Sequence, residues 1–409
     1  MRAFRKLLQD QISGDLRSLP MRVRRLVSPE RRLARARNID DLRTLARSSV
    51  PRTVFDFIDG AANDELALLR NRQGFRDIQV YPRSFVDVST IDLSTDVLGT
   101  RISMPILGAP TGLSGLAHAD GEVGIARAVH AAGSIYTLSS MASYSIEELA
   151  REAPGPKWFQ LYLWKDLGFV RELLVRARES GYLAVVVTAD VARAGRRERD
   201  QRNGFSIPPR VTVRSLLGGV RHPGWSTSFV RHERFVIATM PANAGSSKVV
   251  DLAEFNKSQF DASVTWERLE WLREQWTGPI VVKGLMHPDD ALRATRIGAN
   301  AIGVSNHGGR QLDDAPSSIS MLPAVVDAVS DSAEIFLDSG IRRGSDVLKA
   351  LASGARACLV GRPLLYGLAV AGEPGVARAL SILSEELETA MALAGANSVD
   401  VLNASYLVR

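Results

Sequence analysis

Between residues 305 and 313 the chain reads SNHGGRQLD, so the amide of Asn306, the imidazole of His307 and the guanidinium of Arg310 fall within five positions around a Gly-Gly pair. A turn at a strand end needs glycine, but it has no use for a histidine and an arginine facing one place. Histidine titrates near neutrality, so His307 is the candidate general base. A guanidinium grips a carboxylate through two parallel hydrogen bonds, the chemistry expected of Arg310. Asp190, which ends another apolar run, would fix the imidazole tautomer and stabilise its protonated form. Arg197, in GRRERD just beyond, would complete a two-arginine clamp; by itself RRERD also reads as a solvated, charged loop.

Positioning these groups is the task of a regular framework. From Met104 onward, runs rich in Val, Ile and Leu cover 105–110, 134–140, 157–163, 182–190, 279–285, 300–306, 333–340 and 355–361. Amphipathic stretches such as DGEVGIARAVHAAG, LGFVRELLVRARESG, PDDALRATRIG and GSDVLKALASG separate them, several closing on the glycine that helix ends favour. Strands apolar on both faces and alternating with helices predict a parallel sheet. Eight units in the space available predict a closed (β/α)8 TIM barrel. An open doubly wound sheet would place a glycine fingerprint and an acidic ribose residue after its first strand, and GAPTGLSG has no such partner. Residues 38–103 read as a mainly helical lead-in. A long loop, 191–264, interrupts the unit after the fourth strand, and loops of that length usually serve function.

Barrel enzymes build their sites at the C-terminal strand ends. Those ends carry Thr111 and Gly112; Ser139; Gln160 and Tyr162; Thr188 and Asp190; Lys283; Ser305, Asn306 and His307; Asp338 and Gly340; and Gly361 and Arg362. Polar residues closing eight apolar runs point to a site rather than to core packing. Lys283 requires a standing anionic partner if buried. The last two ends, DSGIRRGSD and VGRP, gather glycine and arginine where barrels bind phosphate. The other five histidines form no metal-ligand spacing, and neither a Cys/His cluster nor a Gly-x-Ser-x-Gly elbow occurs, so no metal is expected.

Composition sets the outer bounds. With 45% apolar residues over 409 positions the chain can bury a large core, and no apolar run approaches a membrane span. Cys358, the sole cysteine, excludes an internal disulfide and fits a cytoplasmic, reducing setting. Nothing at the amino terminus resembles a secretion signal. Residues 1–37 form a basic arm, with eleven Arg or Lys against Asp10, Asp15 and Glu30. Within a net charge of +6, that leaves the barrel portion slightly acidic. A solvated, partly helical arm is the plainer reading; an anionic membrane surface is the alternative. The lack of interleaved aromatics argues against nucleic acid.

The motif SNHGGRQLD, with FDFIDGAANDE, APTGLSGLAHADGE, WFQLY, TAD…GRRERD, VVKG, DSGIRRGSDVLKAL and GRPLLYGLA, resembles the FMN-dependent α-hydroxy-acid dehydrogenases and oxidases. These include lactate-, glycolate- and mandelate-oxidising enzymes, and the resemblance runs from about residue 38 to the C-terminus. It implies FMN across the barrel mouth. Pro110, Thr111 and Gly112 would pass its reactive nitrogen, while Ser139, Gln160 and Thr188 would bond the ring. Lys283 would favour negative charge on the reduced ring. Asp338, Gly340, Arg342, Gly361 and Arg362 would hold ribityl and phosphate, with Ser305 counted among the cofactor-facing residues. For substrate, Arg197 and Arg310 would clamp the carboxylate and Tyr162 would bond the oxyanion. His307, oriented by Asp190, would take the proton.

The family usually has a tyrosine in an N-terminal Tyr-Asp motif that reaches the substrate carboxylate; here Phe55 stands there, a loss of about 0.5–1.5 kcal/mol if both arginines remain. Met141 replaces a bulky tryptophan common in glycolate oxidases and would admit a larger substrate side chain. Gly112, where oxidases more often carry alanine, favours a dehydrogenase. The resemblance therefore implies oxidation of an (S)-2-hydroxy acid, lactate- or mandelate-like, with electrons passed to a quinone or another carrier. The closest flavour is that of membrane-associated lactate and mandelate dehydrogenases, whose long loop after the fourth strand touches the membrane. Here 205–260 would either lie peripherally on the inner face of the cell membrane or serve as a lid. Relatives are often homotetramers. The competing readings are an oxidase that returns electrons to oxygen, a non-redox phosphate-binding barrel such as an isomerase, and a catalytically silent binding module.

Overall fold

Eight short runs of β-branched and aliphatic residues, apolar on both faces and separated by helices, suit a parallel sheet covered by helices and closed on itself. In the computed structural model, which describes residues 29–204, 219–232, 237–239 and 261–408, that is what they form. The barrel strands are β1 Ile106–Gly108, β2 Tyr136–Ser139, β3 Lys157–Leu161, β4 Ala184–Thr188, β5 Ile280–Leu285, β6 Ala301–Val304, β7 Glu334–Asp338 and β8 Ala357–Val360. All pair in parallel in chain order, and β8 pairs with β1 to close the ring. Each predicted run contains its strand and overshoots it by one to four residues in all; at most C-terminal ends the extra residues are polar ones that leave the ladder toward the mouth.

Among the described residues, four helices precede the barrel: α1 Pro29–Arg35, α2 Ile39–Ser49, α3 Arg52–Asp59 and α4 Leu66–Asp77. Leu33 and Ala36 are buried in the main core, so this end of the basic arm belongs to the folded body; residues 1–28 lie outside the described part. The helices after β1, β2 and β3 are α5 Gly121–Ala131, α6 Ile146–Glu152 and α7 Leu167–Glu179. The insertion after β4 holds α8 Glu198–Arg202 and α9 Pro223–His232. Then come α10 Trp266–Gln275, α11 Pro288–Ile297, α12 Ser318–Val329, α13 Gly344–Ala352, α14 Arg362–Ala371 and α15 Glu373–Ala394. Local chemistry sets many of the boundaries. Ser145 and Glu148 form a reciprocal capping box at the start of α6, and Gly298, left-handed at φ 106°, ends α11.

The barrel's inside is a separate small core. Leu107, Trp158, Val186, Val281, Phe336 and Leu359 point inward and fill it, with Trp158 and Phe336 stacked at 5.7 Å between centroids. A hairpin, Thr95–Val97 with Thr100–Ile102, plugs the N-terminal end with Val97 and Ile102. Its Leu98 N–H donates to Glu334 at the start of β7. Side chains alternate with a period of two along a strand. Two residues beyond these inward anchors therefore stand Gln160, Thr188, Lys283 and Asp338, which face inward at the C-terminal end. The core residues thus determine which polar residues line the mouth.

Candidate active site

A cavity of about 310 Å3 opens at that end of the barrel. It is lined by Pro110, Thr111, Gly112, Ser139, Met141, Gln160, Tyr162, Thr188, Arg197, Lys283, His307, Arg310, Asp338, Gly340, Arg342, Gly361 and Arg362. The structure therefore brings together nearly every residue singled out from the sequence. Two of the exceptions stand one layer behind the wall: Asp190 and Ser305.

His307 Nδ1 lies 2.9 Å from Asp190 Oδ1. With Nδ1 committed to the carboxylate, Nε2 is the nitrogen left to exchange a proton. Asp190 Oδ2 is buried without a hydrogen-bond partner, which leaves its charge to act on the ring. Gly284, at φ 103°, makes room for this carboxylate: a Cβ there would stand 2.7 Å from Asp190 Cγ. Gln311, not singled out in the sequence, ties the loop after β4 to the turn. Its Nε2 donates to Asp190 O at 2.9 Å, and its Oε1 accepts from Gly195 N–H at 2.9 Å.

Lys283 meets the anion its burial demands. Its Nζ stands 2.6 Å from Asp338 Oδ2 and donates to Ser305 Oγ at 3.0 Å. Burial alone would lower the ammonium's pKa, but Asp338 and then Asp190 overcome it and carry it above the ordinary lysine value. Burial likewise opposes ionisation of Asp338, and Lys283 reverses that. Gly303 opposite leaves space for the lysine stem, since a Cβ would sit 3.2 Å from Lys283 Cγ. Ser305, expected among the cofactor-facing residues, stands behind the cavity wall. Ser305 is fully buried, donates to Asp338 Oδ2 at 2.5 Å and accepts His307 N–H at 3.0 Å. It supports the lysine and the histidine and does not reach the cavity.

The expectation for Phe55 is corrected as well. Phe55 is buried against Tyr366, with ring centroids 6.4 Å apart. Two residues along α3, and so on the helix's other side, Phe57 lines the cavity. The guanidiniums of Arg310 and Arg197 lie 5.2 and 6.0 Å from its ring centroid. Phe57, not Phe55, is therefore the phenylalanine of this helix that faces a substrate.

Arg310 Nη1 donates to Phe57 O at 2.8 Å and Gly60 O at 2.9 Å. Burial, with Arg197 and Arg362 close by, drives its pKa down to about 9. Arg197 is half-buried, 3.4 Å from Asp200. Burial and Asp190 push the Tyr162 hydroxyl up to about 12, so near neutrality it is a phenol that can donate. On the β7–β8 side, Arg362 donates to Ile58 O, Gly308 O and Gly60 O at 2.8–3.1 Å. Arg342 donates to Ile341 O at 2.7 Å, while its Nε is buried with no partner.

The cavity lining therefore holds five cationic side chains, Arg197, Lys283, Arg310, Arg342 and Arg362, against one carboxylate, Asp338. Such an excess calls for anionic ligands. Ser139 Oγ donates to Gln160 Oε1, and Gln160 Nε2 donates to Thr188 Oγ1, both at 3.0 Å, so a polar edge lies ready for a heterocycle's amide groups. A Cβ on Gly112 would stand 2.7 Å from that of Met141, so only a bare backbone fits beside it. Polar edge, bare backbone, a buried ammonium and guanidiniums suit FMN, with its dioxo ring and phosphate. Among the described residues no cluster able to hold a metal ion occurs.

In the insertion, Trp225 stacks on Phe229 at 4.8 Å and donates to Leu116 O at 2.8 Å, so α9 docks on the barrel. Most of 205–260, read as either a membrane contact or a lid, lies outside the described residues. Among those described, no helix is long and apolar enough to cross a membrane.

Known proteins match this geometry. The profile of the FMN-dependent dehydrogenase family covers residues 46–409. A putative L-lactate dehydrogenase of Mycobacterium tuberculosis is 41% identical over 381 residues, 93% of this chain and 91% of that one. An L-lactate oxidase of a Nostoc species is also 41% identical, covering 90% of this chain and 97% of its own. The crystal structure of a monotopic membrane protein, (S)-mandelate dehydrogenase, superposes with a TM-score of 0.86 at 41% identity, over 91% of this chain and 99% of that one. The chain belongs to the FMN-dependent dehydrogenase family, flavoprotein oxidoreductases that oxidise 2-hydroxy acids on a TIM barrel.

Proposed function

We propose that this enzyme oxidises an (S)-2-hydroxy acid with an apolar side chain, lactate- or mandelate-like, to the 2-oxo acid, and passes the electrons to a quinone or another carrier. The observation that carries this reading is the convergence of the His307–Asp190 pair with two guanidiniums on one cavity. FMN, when bound, takes up the two electrons that leave the substrate's α-carbon. Pro110, Thr111, Gly112, Ser139, Gln160 and Thr188 would hold its ring, and Arg342 and Arg362 its phosphate end with Gly340 and Gly361. Arg310 and Arg197 would bind the substrate carboxylate and fix which face of the α-carbon is presented. Tyr162, held as a phenol, donates to the substrate oxygen. His307 Nε2 receives the proton, and Asp190 stabilises the charge that results. Lys283 would place its positive charge beside the cofactor ring and so favour electron uptake by it.

Beside the clamp the wall is apolar: Phe57, Leu113, Met141, Val191 and Ala194. That lining suits an alkyl or aryl side chain, and Met141 adapts to its shape. Phe57 supplies no hydroxyl to the carboxylate. In Phe57→Tyr the added donor should lower KM by about two- to twelvefold, the equivalent of roughly 0.5–1.5 kcal/mol, with kcat little changed in a steady-state assay.

Gly112 and the likeness to a monotopic (S)-mandelate dehydrogenase support a carrier over oxygen, and a quinone acceptor would place the chain at a membrane surface. The likeness to an L-lactate oxidase supports the oxygen-using alternative equally by identity. Stopped flow separates them. After anaerobic reduction by a panel of (S)-hydroxy acids, mixing with air should reoxidise the flavin slowly, and a soluble quinone should do so fast. Rapid reoxidation with stoichiometric peroxide would assign the enzyme as an oxidase.

A further inference from the structure

We infer that Asn71, on α4 of the lead-in, is a positioning residue for His307 and acts through Asn306. The inference rests on His307 being the base. Asn306 sits in the opening motif yet is buried outside the cavity, so contact with a ligand does not account for it. Its amide and that of Asn71, 235 positions away, bond each other reciprocally. Asn71 Nδ2 donates to Asn306 Oδ1 at 2.7 Å, and Asn306 Nδ2 donates to Asn71 Oδ1 at 2.9 Å.

Both amides make further bonds. Asn306 Nδ2 reaches Pro316 O at 2.9 Å, Asn306 Oδ1 accepts from Gly309 N–H at 3.1 Å, and Asn71 Oδ1 accepts from Ser318 N–H at 3.2 Å. Turning either amide over would set donor against donor, so each fixes the other's orientation. Asn306 is thereby tied at once to α4, to the start of α12 and to the far end of the turn that carries His307.

That turn needs such a hold. His307, Gly308 and Gly309 are all left-handed, with φ of 57°, 65° and 77°. Only the glycines take this conformation freely, and a histidine keeps it where its surroundings over-determine it. Helix α4 supplies those surroundings. A Cβ on Gly309 would lie 2.6 Å from Leu68 N, and one on Gly340, in the cavity wall, 2.5 Å from Asn71 O. Asp313, just past the turn, accepts N–H bonds from Asp64 and Ala67 at 3.0 Å each, so α4 and the turn are stitched at both ends. Within this unit the Asn71–Asn306 pair decides where the imidazole stands relative to Asp190.

The test is single-turnover reduction of Asn71→Ala with its FMN bound, measured anaerobically per flavin with saturating (S)-hydroxy acid. The limiting rate should fall by about ten- to a hundredfold, the cost of shifting a reacting group by a fraction of an ångström to an ångström. The half-saturating substrate concentration should stay within about twofold. The kinetic isotope effect from deuterium at the α-carbon should be at least as large as in the parent enzyme. Sodium benzoate, titrated by the flavin absorbance change, should bind as before. A residue that only supports the fold would lower Tm and flavin content and leave the rate per flavin within about twofold; that result overturns the inference. Should Asn71→Ala lose FMN, Asn71→Asp carries the test. It keeps the acceptor for Asn306 Nδ2 and Ser318 N–H and replaces the donor to Asn306 Oδ1 with a carboxyl oxygen that repels it. A fall of about fivefold or more supports the inference, and a smaller one overturns it. His307→Gln is the control. If it reduces as fast as the parent enzyme, the base assignment fails and takes the inference with it. If it is slow while Asn71→Ala is fast, only the positioning claim falls.

Discussion

His307→Gln should retain FMN and bind sodium benzoate, yet reduce its flavin with an (S)-hydroxy acid at least about a thousandfold more slowly. A positioned general base is worth roughly 10^2–10^4 in rate, and this base has further leverage from its surroundings. Its Nδ1 meets Asp190 at 2.9 Å, and the second oxygen of that buried carboxylate has no partner. The negative charge beside the ring therefore acts on the imidazolium, which exists only after the proton has moved. An interaction made late on the reaction path lowers the barrier without tightening substrate binding, so the loss should fall on the limiting rate with KM nearly unchanged. Glutamine is similar in size and can still donate to Asp190, which keeps the wall intact and leaves proton transfer as the missing function. Anaerobic stopped flow at saturating substrate measures it. A variant reduced within tenfold of the parent enzyme would remove His307 from its role and leave the site a carboxylate-binding pocket without a base.

Much of this site was legible because barrel strands obey a parity rule. Once Trp158, Val186, Val281 and Phe336 are read as inward core residues, Gln160, Thr188, Lys283 and Asp338 must face the mouth two positions on. The same parity makes Lys283 a buried cation, and the sequence already demanded its anion. VFDFID offers two aromatics, and the local Phe-Asp motif points to Phe55 where the helical period points to Phe57. On a helix with about 100° per residue, Phe55 and Phe57 stand about 200° apart, so Phe55 packs into the core while Phe57 faces the cavity. Ser305 shares the inward parity of Ala301 and Gly303, but its hydroxyl is taken up by Lys283, Asp338 and the His307 N–H, which no strand period announces. The Asn71–Asn306 pair had no local signature. An asparagine within the helical sequence LALLRNRQGFRD carries no mark of a partner 235 residues away, so the hold on the catalytic turn emerges only from the packing of the lead-in against the barrel.

Arg310→Met should produce the complementary defect, a KM raised by roughly thirty- to several-thousandfold, with benzoate binding weakened in parallel. The range corresponds to about 2–5 kcal/mol for truncating one member of a buried charge pair. The structure explains why this guanidinium is poised for an anion. It is buried beside Arg197 and Arg362, and the burial and repulsion together bring its pKa down to about 9. Nη1 is spent on Phe57 O and Gly60 O, which orients the planar fork while leaving it without a counter-charge in contact. A substrate carboxylate supplies that charge, and linkage fixes the sign of the pH effect. Binding favours the protonated guanidinium, so above about pH 9 the protein must take up a proton to bind, and carboxylate affinity falls as pH rises. Arg310→Met should abolish this alkaline fall along with most of the affinity. Arg310→Lys should rescue little, because a single ammonium cannot hold two backbone carbonyls and present two parallel donors to a carboxylate. Benzoate titrations from pH 7 to 10, read by flavin absorbance, measure all three effects. An Arg310→Met protein that bound benzoate within threefold of the parent enzyme would shift carboxylate recognition to Arg197 alone. The split between a rate defect at His307 and an affinity defect at Arg310, three residues apart on one turn, is what a base and a clamp serving one hydroxy acid require.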